Sequence, residues 1–276
     1  MKDQINLPFW ESLKRTYLYT FVNFDKVIKV SVLWMAVMLI ADFAMGFPSQ
    51  CTAGQECKGW QANLSMLLAV FSAVGISVAF TRTIVLKEYH SRPYLSFGKR
   101  EAKYLAYNVL ILVAIILASV LLLSGITVLL RLLGLVAADG SLTLPPLYFL
   151  YLLIPLLIAG YLSRLYLVLP ATAVDNAEIN FSKAFEITGG NAVKIFVGLF
   201  LASFPVIVIL YMVTLLSQTM QLESWPAKLV VSVLIVFFTA LNAILKASFL
   251  AHAYQYFLYF YNSQKTETPK EKSKLD

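Results

Sequence analysis

The chain reads as an all-α integral membrane protein of six transmembrane helices, and three observations predict that class. Of its 276 residues 59% are hydrophobic and 13% charged, with a mean hydropathy of +0.75, which leaves too little polar surface to coat a globule in water. Six apolar runs reach the ~20 residues that a ~30 Å hydrocarbon layer requires. Finally, 19 of the 22 Lys and Arg residues fall on one side of those runs. That asymmetry predicts a multi-pass inner-membrane protein with both termini in the cytoplasm. The formal charge of +7 therefore belongs to topogenic loops and lipid phosphates, not to nucleic acid. MKDQINLPFWESLKRTY has no short apolar core with a small-residue cleavage site, so the first span is expected to direct insertion itself.

Phe9 to Phe24 has the pattern of a helix lying flat in the interface. Phe9, Leu13, Tyr17, Thr20 and Phe24 share one face, and Glu11, Lys14 and Arg15 the other. Span one covers about 27–47 and carries Asp42 one turn inside its far end. The polar far-side loop 48–61 holds Cys51 and Cys57, which can close a small disulfide ring where that side is oxidising. Span two, about 62–86, contains Gly75 and several Ser residues suited to close helix approach, with Arg82 near its end. A basic loop leads into span three, about 104–133, where Arg131 lies at the predicted depth of Asp42. An Asp42–Arg131 ion pair would remove two burial penalties together; separate hydration at the far interface is the alternative.

Span four, about 147–169, has Pro155 and Gly160 as candidate kinks. The chain is expected to turn at Pro170 and lay down a second amphipathic helix. Ala177, Phe181, Ala184, Phe185 and Thr188 would face one way, with Glu178, Ser182, Lys183 and Glu186 facing the other. Gly189-Gly190 would then break it before span five, about 192–216. Span six, about 227–250, continues into AHAYQYFLYFYN, read as an interfacial aromatic belt. Residues 1–262 thus form one membrane domain, and 263–276 a disordered cytoplasmic tail.

Shifts of 84 superpose Leu13, Phe97 and Phe181, and also Arg15, Lys99 and Lys183; shifts of 82 superpose Arg82, Arg164 and Lys246. These offsets suggest a three-fold pseudo-repeat of helix hairpins over about 9–90, 93–174 and 177–258. Arg82, Arg164 and Lys246 would then lie at one depth, one to two turns inside the cytoplasmic ends of the even-numbered spans. Facing a common vestibule, they would attract an anionic solute or a lipid headgroup. Facing lipid, they would snorkel to phosphates and pin the helices.

Catalytic chemistry finds no support. His90 and His252 lack metal-ligand spacing, and there is no GxSxG, no phosphate-cradling glycine loop and no paired carboxylates within the spans. No cofactor or metal is expected.

FSKAFEITGGNAVKIF, with the preceding YLVLPATAVDN, resembles the YciC-type polytopic inner-membrane proteins. It is also similar to the membrane domain attached to some glycerophosphoryl diester phosphodiesterases. Pro170, Ser182, Thr188 and Asn191 stand at the matching positions, and the resemblance covers residues 150–200. It implies a six-helix envelope protein; the phosphodiesterase catalytic domain has no counterpart in this sequence. The expected function is non-enzymatic maintenance or assembly of the envelope, through binding of membrane lipids with anionic headgroups or of another membrane protein. The alternative is a transporter or channel that uses the cation ring.

Overall fold

Backbone amides inside hydrocarbon have no water to bond, so apolar runs satisfy them internally as helices. The computed structural model describes residues 6–46, 59–89, 94–132, 134, 146–220 and 224–272, and every element in them is helical. They are α1 (Phe9–Val22), α2 (Phe24–Ala44), α3 (Gly59–Val85), α4 (Lys99–Leu132) and α5 (Pro146–Leu162). A 3-10 segment (Ser163–Leu167) follows, then α6 (Val168–Ala173), α7 (Phe181–Ile187), α8 (Ala192–Thr219) and α9 (Trp225–Lys272). Six helical stretches are long and apolar enough to cross a membrane: α2, α3, α4, α5 running on through α6, α8 and α9.

The bundle is built around α9. From Ala240 to Ala251 every residue of that helix is buried except Asn242 and Lys246. On one flank, α2 and α3 contribute Val30, Trp34, Ile76 and Phe80 against Val236, Ala240, Ala243 and Ile244 of α9. On another, Val206 of α8 packs on Leu241 and Leu245. Two glycines permit close helix approach: a Cβ on Gly75 would stand 2.4 Å from the Trp34 ring, and one on Gly198 would stand 2.0 Å from that of Phe249. Outward faces carry large apolar side chains, among them Leu121 (71% exposed), Leu132 (81%) and Val193 (70%). Such a surface is stable against lipid and untenable in water.

Several boundaries depart from the sequence expectation. The chain does not turn at Pro170. That residue lies in the first turn of α6, where its missing N–H costs little, and the turn comes at 174–175. Pro170 also cannot donate to the Tyr166 carbonyl, and the chain just before it winds as the 3-10 segment. The second amphipathic helix begins only at Phe181, because Asn180 caps it by accepting from the Lys183 amide at 2.9 Å. Ala177 and Glu178 therefore lie outside it, while Ala184, Ile187 and Thr188 form its buried face. Gly190, at φ +75°, supplies the break before α8.

α1 buries a face close to the expected one, with Leu13 and Thr20 inward and Glu11, Lys14 and Arg15 exposed, but rotated so that Ser12 and Thr16 are buried as well. Ser12, Leu13, Thr16 and Thr20 turn inward, and Trp10, Leu18, Phe21 and Val22 turn out. Small hydroxyl residues allow close approach to α9, their protons taken by carbonyls one turn back, and lipid solvates the large residues. The aromatic belt is also partly core: Tyr254 and Phe257 are fully buried, whereas Tyr259 is 71% exposed. α9 continues as helix to Lys272, past residue 263 where a disordered tail was expected. Of the proposed repeats, the first and third place a separate short helix before a span; in the second, Phe97 lies in a non-helical segment leading straight into α4.

Candidate functional site at the terminal side

The segment before α1 is tied to the starts and ends of the spans around it. The Leu7 amide donates to Asn191 Oδ1 at 2.9 Å, Lys194 Nζ donates to the Leu7 carbonyl at 3.2 Å and to Asn6 Oδ1, and Tyr256 Oη donates to the Asn6 carbonyl at 2.9 Å. Tyr17 Oη donates to the Leu201 carbonyl at 2.6 Å. Burial raises the Tyr17 hydroxyl pKa above the usual phenol value, so it stays a donor. These bonds hold α1 across the ends of α8 and α9, on the side that carries both the first described residues and the end of α9.

Between α1 and α9 they leave a cavity of about 330 Å³, lined by Pro8, Glu11, Ser12, Arg15, His252, Gln255, Tyr256, Tyr259 and Phe260. One part of this lining is charged or amide-bearing and the rest aromatic. Arg15 bonds Glu11 at 2.5 Å, one helical turn away, but the two side chains are 65% and 56% exposed, so the pair is weak and open to competition. His252 Nδ1 lies 2.8 Å from the Ser248 carbonyl, a bond that requires Nδ1 to carry the proton and leaves Nε2 for a ligand. Gln255 Nε2 donates to the Ile84 carbonyl at 3.1 Å and so keeps Oε1 as its remaining acceptor. The sequence marks Glu11, Arg15, His252 and the aromatic run separately but does not show that they meet, because the pocket joins positions more than 230 apart in the chain.

The structure does not gather Arg82, Arg164 and Lys246 into one vestibule. Arg82 Nε and Nη2 donate to Glu88 at 2.7 and 2.5 Å, and Nη1 donates to the Ala173 carbonyl at 3.0 Å and to Asp175 at 3.3 Å. Arg100 joins the same Asp175 carboxylate at 2.7 Å. The Arg100 hydrogen bond, with the Arg100 and Arg82 charges behind it, holds the Asp175 carboxyl below its ordinary pKa. Arg164 donates to Thr188 Oγ1 at 3.2 Å and to the Phe185 carbonyl, and its guanidinium lies 3.7 Å from the Phe185 ring centroid. It braces α7 against the 3-10 segment. Lys246 is exposed and makes no hydrogen bond or ion pair among the described residues. Two members of the expected ring are thus structural clamps, since the sequence shows the cations and conceals the carbonyls and acids that neutralise them.

Nor does the Asp42–Arg131 pair form. Asp42 is 2% exposed and accepts from Ser232 of α9, while Arg131 is exposed on α4 and makes no ion pair among the described residues. Similar depth did not bring them together, because α2 packs on α3 and α9 and not along α4. Cys51 and Cys57, like His90, lie outside the described residues. Among the described residues no cluster of His, Cys, Asp and Glu could hold a metal ion.

Fold and site together define a polytopic, all-helical protein of the membrane type. No protein-family model, curated protein or solved structure matches this chain.

Proposed function

We propose that this is a non-enzymatic inner-membrane protein that binds anionic lipid at its cytoplasmic side and so contributes to maintenance or assembly of the envelope. The YciC-type resemblance of residues 150–200 implies only an envelope protein of about six helices, with which this reading is compatible. The supporting observation is the α1–α9 cavity, whose volume and mixed lining suit a lipid headgroup with the first part of its chain. An exposed Arg15, held only by a weak pair, can turn to a phosphate, which it engages in bidentate fashion. Tyr256, Tyr259 and Phe260 offer the amphipathic rings that sit well at the headgroup level. The outward apolar face of α1 beds the site in the leaflet.

The test is native mass spectrometry of the full chain released from nanodiscs of phosphatidylcholine doped with phosphatidylglycerol. Wild type is expected to retain phosphatidylglycerol, and Arg15→Gln to retain about tenfold less, the equivalent of ~1.4 kcal/mol. Equal retention by both proteins, with α-helical content unchanged, would remove the cavity from the account. A second reading, transport of an anionic solute or lipid, loses the support of Arg82 and Arg164 and keeps only that of Lys246.

A further inference from the structure

The α1–α9 cavity presents more acceptors than a phosphate can use. His252 and Gln255 stand three residues apart on α9, so they are neighbours on one face of the helix, and both line the cavity. Each has one end tied to a carbonyl, His252 Nδ1 to that of Ser248 and Gln255 Nε2 to that of Ile84. A carbonyl can only accept, so these bonds fix the imidazole tautomer and the orientation of the amide. In the neutral imidazole, the form that predominates above the ordinary His pKa of about 6.5, the free ends Nε2 and Oε1 are then both acceptors. Neither makes a hydrogen bond among the described residues. Neither is closed off either, since the side-chain atoms buried there without a partner are Trp34 Nε1, Ser72 Oγ and Asn242 Oδ1.

The rest of the lining supplies few donors to meet them. Tyr256 Oη is spent on the Asn6 carbonyl, and Arg15 is turned to Glu11 on the α1 wall. Water reaching the two acceptors satisfies them, and a headgroup that displaces it must bring donors of its own or leave both unmet. An ionised phosphate diester has no donor to offer. Two chemistries do: hydroxyl groups and an ammonium. An ammonium in a half-buried site is best met by a carboxylate, and the carboxylate of this lining is Glu11, on the opposite wall, more than half exposed and already paired. On α9 the two acceptors are uncharged and side by side, which suits a pair of neutral hydroxyls.

We infer that the cavity selects a phospholipid whose phosphate is esterified to a polyol, with His252 Nε2 and Gln255 Oε1 accepting hydrogen bonds from the polyol hydroxyls while Arg15 holds the phosphate. This assignment rests on the phosphate reading of Arg15 and adds to it the pair of residues that determines specificity. The lipid, not a soluble polyol phosphate, is the ligand, because Tyr256, Tyr259 and Phe260 continue the lining with ring area that a soluble headgroup would leave uncovered. A lipid of equal charge without the hydroxyls is rejected, since it strips water from both acceptors and pairs neither.

The test is a competition on the full chain in phosphatidylcholine nanodiscs doped equally with phosphatidylglycerol and phosphatidylpropanol, read by native mass spectrometry. These two lipids share charge and carbon skeleton and differ only in the headgroup hydroxyls. Wild type is expected to retain phosphatidylglycerol about tenfold over phosphatidylpropanol. His252→Phe and Gln255→Leu should each bring that ratio towards one by lowering phosphatidylglycerol alone, with α-helical content unchanged. Arg15→Gln should lower both lipids together and leave the ratio in place. Equal retention by Arg15→Gln and wild type would sink the phosphate reading, whereas a wild-type ratio near one with the Arg15 dependence intact would overturn the hydroxyl assignment alone. Folded His252 and Gln255 variants that lower both lipids equally would overturn it as well. So would retention of phosphatidylserine, which donates through an ammonium, at or above the level of phosphatidylglycerol. Displacement of phosphatidylglycerol by an equal concentration of soluble glycerol phosphate would overturn the choice of a lipid ligand.

Discussion

Asp175 occupies a left-handed backbone position, φ 57°, that Asp and Asn tolerate better than most side chains, and from there it receives two guanidinium groups. Because its folded pKa is depressed, the stabilisation it gives is present above the ordinary carboxylate pKa of about 3.9 and is lost as pH falls through the lower folded value. Asp175→Asn keeps the backbone and removes the charge. It is expected to lower the melting temperature in detergent at neutral pH, with the gap to wild type closing only below about pH 4. With the side chain 58% exposed, the effect belongs to the range of surface pairs, ~1 kcal/mol or less. A gap that persisted unchanged at about pH 2 would show that the carboxylate charge is not the source.

Among the helices, close approach is decided by residues that lack a side chain. Phe249 is fully buried and its ring fills the space over Gly198, so Gly198→Ala forces an overlap that neither α8 nor α9 can relieve locally. Overpacking of this kind costs ~1–3 kcal/mol. The expected result is a lower melting temperature for Gly198→Ala, recovered in part by Phe249→Leu in the same chain. Additive losses in the double variant would show that the two residues do not share the contact. Helix α1 shows that an apolar stripe only approximates the buried face: Leu13 and Thr20 of the stripe turn inward, and Ser12 and Thr16, which lie off it, turn inward with them. In lipid, large apolar residues are stable outside and small hydroxyl residues pack inside, which inverts the rule that holds in water.

For the whole molecule, six crossings put the start of α2 and the end of α9 on one side, and in the proposed orientation, drawn from the basic asymmetry, that side is cytoplasmic. In sealed vesicles with the outer face exposed, an impermeant maleimide is expected to label reduced Cys51 and Cys57. A Lys272→Cys variant lacking both native cysteines should be labelled only after permeabilisation. Labelling of both positions from one side would contradict this arrangement of the crossings.

Membrane class and six helices apolar enough to span could be read from the chain alone, because the partitioning of apolar runs into lipid is local and depends on length and composition, although the last helix runs well past the expected end at residue 250. Amphipathic periodicity likewise located α1 and α7, and it placed Leu13 and Thr20 of α1 inward while leaving Ser12 and Thr16 unmarked. Which charges are free depended on partners brought from elsewhere. Arg82 meets Asp175 from 93 positions away, Arg164 meets the Phe185 carbonyl, and Lys246 alone of the three is left unpaired among the described residues. Helices exposed to lipid can pack in many orders at similar hydrophobic cost, so hydropathy cannot choose among them; the choice rests on close contacts such as Gly75 with Trp34 and Gly198 with Phe249, which exist only in the folded bundle.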